Sequence, residues 1–184
     1  MGGSRRSRSR ASSSRAARID AETRRLAAQG WAVRGEVVDA CDHASIECAF
    51  DAALAARLMR PQRSGRMIVT TSVAAYQCEP AISAAYMTAK AGAAHLMRSV
   101  ALELAADNIT VNAIAPGFFA TNIGGGHAKT ASVQEAMGKL IPMHRVGFPA
   151  DMAGLALFLA SPTSAYLTGQ QISIDGGWSL GVAD

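Results

Sequence analysis

Two hydrophobic periods alternate along this chain. Over 44–59 the apolar positions Ile46, Phe50, Leu54 and Leu58 recur every four residues, which predicts a helix with one apolar face. Pro61 and Gly65 close it. Residues 67–71 (MIVTT) are a short β-branched run and predict a strand. Ser83 has the chemistry of an N-cap and opens a long helix to about residue 106, so poor in charge that burial of most of it is expected. A strand over 109–114 ends in Ala115-Pro116-Gly117, helices follow over 131–140 and 149–160, and a last strand covers 171–175. Upstream the pattern is weaker, with a short helix over 21–28 closed by Gly30 and a strand over 36–39. Strands alternating with helices predict βαβ units and a parallel sheet with helices on both faces. Four strands are legible where a complete doubly wound sheet has about six, and the deficit lies before Met67.

Composition supports one core and relocates the charge. With 184 residues, 49% of them hydrophobic, the chain is long enough and apolar enough for a single domain. Its formal charge is +4, yet six of the 18 basic residues fall within 1–18, which hold no acid. Removing those six leaves 12 basic against 14 acidic residues, so the basicity belongs to a tail and argues against a nucleic-acid-binding face on the domain. The tail, MGGSRRSRSRASSSRAAR, has no hydrophobic period and is expected to be disordered, with 19–184 forming the folded domain. Three cysteines without a CxxC pair argue against a disulfide framework or structural zinc. With no apolar run of bilayer length and no secretory signal, the expectation is a cytoplasmic protein that does not enter a membrane.

The informative chemistry lies at Ser72, Tyr86 and Lys90. Ser72 follows a predicted strand at its carboxyl end, where ligands sit in open α/β sheets. Tyr86 and Lys90 stand at i and i+4 of the long helix and share a face, so the ammonium can stabilise a phenolate and bring the hydroxyl into proton exchange with an alcohol. Spacing alone is weak support, because such pairs commonly cover a core or a surface. The four histidines lack ligand spacing, and His95, inside the long helix, reads as a core histidine; no metal is expected.

The segment from GRMIVTTSVAAY through SAAYMTAKAGAAHLMRSVALELAADNITVNAIAPGFFATNI, together with FPADMAGLALFLASPTSAYLTGQQISIDGG, closely resembles the short-chain dehydrogenase/reductase family over about 65–177. The resemblance implies a Rossmann-like fold and an NAD- or NADP-dependent oxidoreductase acting on a small secondary alcohol or ketone. It implies Tyr86 as acid/base, Lys90 as the residue that tunes it and holds the nicotinamide ribose, and Ser72 as the group orienting the carbonyl. It also implies that Pro116, Gly117 and Thr121 meet the nicotinamide end, with Phe119 lining that face, and that Asp39 reaches the adenine; an Asp closing a strand is also a common turn former. Asn112 is implied to be structural. Met137, Leu140, Ile141 and Met143 would lie on a lid over the substrate, hinged at Gly124-Gly125-Gly126, with plain packing as the competing reading. Relatives pair through the helix of Tyr86 and Lys90 and through the strand near Asp175, which implies a homo-oligomer.

Three family elements are missing from the sequence: the TGxxxGxG turn that lets a helix N-terminus meet pyrophosphate, the NNAG run, and the helix that follows it. The expectation is a chain truncated or internally deleted in its N-terminal half. Two functions follow: an oxidoreductase impaired by loss of the phosphate turn, or a non-catalytic binding or assembly module whose basic tail meets RNA or other anions. Arg18, near the place of the coenzyme-selecting residue, leans towards NADP.

Overall fold

The computed structural model describes residues 55–78, 82–122, 126 and 128–181, with Ala21, Arg24, Arg25 and Ala28 upstream. The chain divides into two compact units, Met1–Asp51 and Ala52–Asp184. In the first, Ala21, Arg24 and Arg25 are helical and the Ala28 amide donates to the Arg24 carbonyl at 3.0 Å. The tail 1–18, the strand over 36–39 and Asp39 lie outside the described residues.

The second unit is built on three parallel strands, β1 (Gly65–Thr70), β2 (Ile109–Pro116) and β3 (Gln171–Ile174), in that spatial order. Gly65 faces Ile109 and Ala113 faces Gln171 in the register. Seven consecutive residues of β2 are buried, and because successive side chains point to opposite faces, both faces of that strand are covered. Helix α1 (Ala84–Leu104) packs on β2, and α2 (Ala131–Gly138) and α3 (Pro149–Ala160) follow it, α3 against β1 and β2. Met97, Ala101 and Leu104 of α1 meet Ile109, Val111 and Ala113 of β2 in the main core, with Ala56 from helical residues 55–59 beside them.

Helix α1 starts where the sequence predicts: the Ser83 hydroxyl accepts from the Tyr86 amide at 3.2 Å. Its burial does not follow the prediction. Only Ala94, Met97, Ala101 and Leu104 are buried, and Leu102 is 83% exposed, because the described residues cover a single side of the helix. His95 is exposed as well, so it is not the core histidine that a buried helix would make of it.

A smaller cluster of Ala120, Ile141 and Val146 holds the segment after β2, with Phe118, Met137 and Trp178 packed against it. Ile141 is 1% exposed and therefore belongs to this core rather than to a substrate-facing lid, whereas Leu140 and Met143 are exposed. Among the described residues no helix is long and apolar enough to cross a membrane.

Candidate functional site

The site forms where the carboxyl ends of β1 and β2 meet the first turns of α1. Thr71 locks the two strand ends together, its amide and its hydroxyl both donating to the Ile114 carbonyl, at 2.8 and 3.2 Å. Ser72 comes next, buried, in extended backbone (φ −167°, ψ 157°), and its hydroxyl accepts from the Ala74 amide at 3.2 Å to open a short 3-10 turn. The strand end therefore delivers this hydroxyl at a fixed point of the fold.

Tyr86 sits in the first turn of α1 and is 43% exposed. One turn on, the Lys90 ammonium lies 5.7 Å from the centre of the Tyr86 ring, within cation–π range. It also donates to the Thr70 carbonyl at 3.2 Å. That bond ties the helix pair to the strand end carrying Ser72, two residues on. Burial holds the Lys90 ammonium below its ordinary value of 10.5. Lys90 can still direct its remaining protons outward, since an ammonium has three and Thr70 takes one.

The turn after β2 is shaped by a close backbone approach. The Gly117 amide donates to the Ile174 carbonyl at 3.1 Å, and a Cβ at Gly117 would stand 2.6 Å from the Asp175 Cβ and 2.9 Å from its Cα. Only glycine allows β2 and β3 to end this close together. Asp175 in turn accepts from the amides of Gly177 and Ser179, both at 2.9 Å. Burial opposes its charge, but the hydrogen bonds from Ser179 and Gly177 outweigh that and hold the carboxyl below its ordinary range. Phe119 bridges to Gly147, where its ring occupies the space a side chain would fill, so the turn is stitched to the segment before α3. The Thr121 amide donates to the Phe119 carbonyl at 2.8 Å and keeps this segment tight.

Asn112 takes no part in this site. Its Nδ2 donates to the Leu167 carbonyl at 2.7 Å and its Oδ1 accepts from the Gln170 amide at 3.1 Å, which splices the loop before β3 onto β2. The fold thus gathers Ser72, Tyr86, Lys90 and the Pro116–Gly117 turn at one end of the sheet. The Thr70 carbonyl was not legible in the sequence, because every residue has one and only packing shows which is used. Asp175 as the clasp of the Gly117 turn had a signal, the Asp-Gly-Gly run, whose partner 58 positions away the sequence does not name.

A parallel α/β sheet with a serine at a strand end and a Tyr-x-x-x-Lys pair on the next helix is the architecture of a class of oxidoreductases. The chain belongs to the short-chain dehydrogenase/reductase family. The family profile described as enoyl-(acyl carrier protein) reductase matches residues 37–179. A 3-oxoacyl-[acyl-carrier-protein] reductase of Synechocystis is 44% identical over 123 residues, 66% of this chain and 47% of the relative. A sorbose reductase of Candida albicans is 32% identical over 152 residues, 82% of this chain and 52% of the relative. Among solved structures, a gluconate 5-dehydrogenase of Burkholderia cenocepacia in complex with NADP and tartrate superimposes with a TM-score of 0.63 at 31% identity, over 69% of this chain and 49% of that one. The chain spans about half the length of the curated relatives it matches.

Proposed function

We propose that these residues are the catalytic half of a nicotinamide-dependent oxidoreductase that interconverts a secondary alcohol and a ketone. One observation carries the reading: Lys90 stands under the Tyr86 ring and is bonded to the strand end that carries Ser72. In the reductive direction the Ser72 hydroxyl donates to the carbonyl oxygen and holds it, and Tyr86 delivers its proton to that same oxygen. The positive charge of Lys90 favours the phenolate left behind, and solvent returns the proton through the exposed side of Tyr86. The hydride to the carbonyl carbon in reduction, or from the alcohol carbon in oxidation, is the chemistry that a nicotinamide held at this site would supply.

The fit to that cofactor is uneven. Free protons on Lys90 and the backbone of the Pro116–Gly117 turn suit the ribose and carboxamide of the nicotinamide end, with Phe119 and Thr121 beside them. For the pyrophosphate the 184 residues hold no TGxxxGxG turn, and Gly124-Gly125-Gly126 follows Thr121 rather than a strand. As an isolated chain the protein therefore binds NADH and NADPH weakly and turns over slowly. Asp39 on the adenine and Arg18 favouring NADP remain part of the same reading. The names of relatives point to 3-oxoacyl thioesters and to polyol-derived ketones as substrate classes worth testing.

The missing phosphate turn favours a second reading, a family-derived binding module with 1–18 as an anion-binding tail. Titration of the 184-residue chain with NADH and NADPH, followed by nicotinamide fluorescence and by ketone reduction at the highest cofactor attainable, separates the two. Weak, saturable binding with slow ketone-dependent oxidation supports the oxidoreductase. No cofactor binding, with salt-sensitive RNA binding lost on deleting 1–18, supports the module. Micromolar cofactor affinity with rapid turnover would overturn the impairment.

A further inference from the structure

Further along α1 than the Tyr86–Lys90 pair lies a groove of about 330 Å³ between that helix and β3. It is lined by Ala91, Ala94, His95 and Arg98 of the helix, by Gln171 and Ser173 of β3, and by Ala75 and Tyr76. The helix residues recur at i, i+3, i+4 and i+7 and so form one stripe. Gln171 and Ser173 alternate along β3 and so share the sheet face on which α1 packs.

The lining is unusual in its hydrogen-bond chemistry. Among the described residues no carboxylate lines it, and its two ionisable nitrogen groups, His95 and Arg98, are both donors when charged. Arg98 forms no ion pair among the described residues; the nearest acids along the chain, Glu103 and Asp107, are held by Arg60 at 2.7 and 2.9 Å. The Gln171 Nε2 is buried with no acceptor among the described residues, an unfavourable state that an incoming acceptor would relieve. The Tyr76 and Ser173 hydroxyls are bonded to each other at the rim. The wall beneath is methyl groups, from Ala75, Ala91 and Ala94.

We infer that this groove binds a small organic oxyanion, a carboxylate or phosphate monoester whose short apolar body rests on the three alanines. Arg98 and His95 hold its charge, and the Gln171 amide gains the acceptor it lacks. The site lies further along the helix than the one proposed for catalysis: Arg98 is eight residues beyond Lys90, roughly 12 Å along the helix axis. It needs neither cofactor nor turnover, so its test stands or falls independently of the oxidoreductase reading.

The probes are butyrate and inorganic phosphate, titrated into the full 184-residue chain while the His95 imidazole signals are followed by NMR. Both should give saturable shifts, with butyrate the tighter because only it covers the alanines. Arg98→Gln, at an exposed position where the fold is expected to survive, should weaken both by roughly tenfold, the effect of one lost charge-assisted hydrogen bond. Arg98→Lys should recover part of the affinity, and Lys90→Ala should change it by less than about twofold. Circular dichroism confirms that each variant is folded. The proposal is overturned if His95 does not respond, if Arg98→Gln binds as the parent does, or if Lys90→Ala removes the binding. It is equally overturned if the His95 signals shift with protein concentration and ignore butyrate, which would mean that a second copy of the chain fills the groove.

Discussion

At the scale of single residues the proposed chemistry rests on two neighbours that differ in what they contribute to stability. Tyr86 is exposed and replaceable at little structural cost, so Tyr86→Phe should leave the melting temperature unchanged and lower any ketone-reducing rate by roughly 10²–10⁴-fold, the usual worth of a positioned proton donor. A rate equal to that of the parent would remove Tyr86 from the mechanism. Lys90 is different, because burial depresses its protonation in the folded chain. A base whose folded value lies below its unfolded one opposes folding at lower pH, and the penalty lifts as pH rises through the folded value towards 10.5. Lys90→Met should therefore melt no lower than the parent at neutral pH while losing activity, and the parent alone should gain stability on the alkaline side. Scanning calorimetry across that range checks it; a clear loss of stability in Lys90→Met at neutral pH would show that the Thr70 bond outweighs burial.

Elements here are held by their ends. The first turn of helix α3 holds Asp151, whose carboxylate accepts from both arms of the Arg145 guanidinium at 2.8 and 2.9 Å and from the Phe148 amide at 2.8 Å. Those bonds bring the Asp151 carboxyl from 3.8 down to about 2. Its contribution is thus complete above about pH 4 and lost as pH falls through about 2, so acid unfolding of the parent should separate from that of Asp151→Asn only above this window and converge below it. Identical acid transitions would mean that the cap contributes nothing. Between β2 and β3 the constraint is steric. Gly117→Ala pushes a methyl group to 2.6 Å from Asp175, which should cost about 1–3 kcal/mol and show as a lowered melting temperature. The starts of α1 and α3 and the turn after β2 were legible, since Ser83, Pro149 and Pro116-Gly117 are local signals. The inward turn of Ile141 was not, because its place is set by Ala120 and Val146 in the folded chain rather than by its own neighbours.

For the whole molecule, the described sheet ends at β1 on one side, and α3 leaves Leu157 58% and Phe158 42% exposed. Among the described residues no strand pairs with the outer edge of β1, and an open edge beside an apolar helix face favours association. The chain should sediment as more than a monomer at high concentration, and Leu157→Lys combined with Phe158→Glu should shift it towards monomer. A chain that is monomeric throughout would show that this face is covered.

The sequence by itself determined the order of the described elements and the parallel α/β class, because periodicity and caps are properties of neighbouring residues, and it named Ser72, Tyr86 and Lys90 as candidates through the family resemblance rather than through spacing. It also carried the missing phosphate turn, since glycine spacing is read directly. Only the tertiary structure decided which carbonyl receives Lys90, which side chain clasps Gly117, and that His95 and Arg98 face Gln171 and Ser173 across a groove. The first and the last join residues brought together by the packing of α1 on the sheet, and the second by the pairing of β2 with β3. No local pattern encodes such a pairing, because one stripe of a helix and one face of a strand acquire a shared chemistry only when the core between them sets their distance.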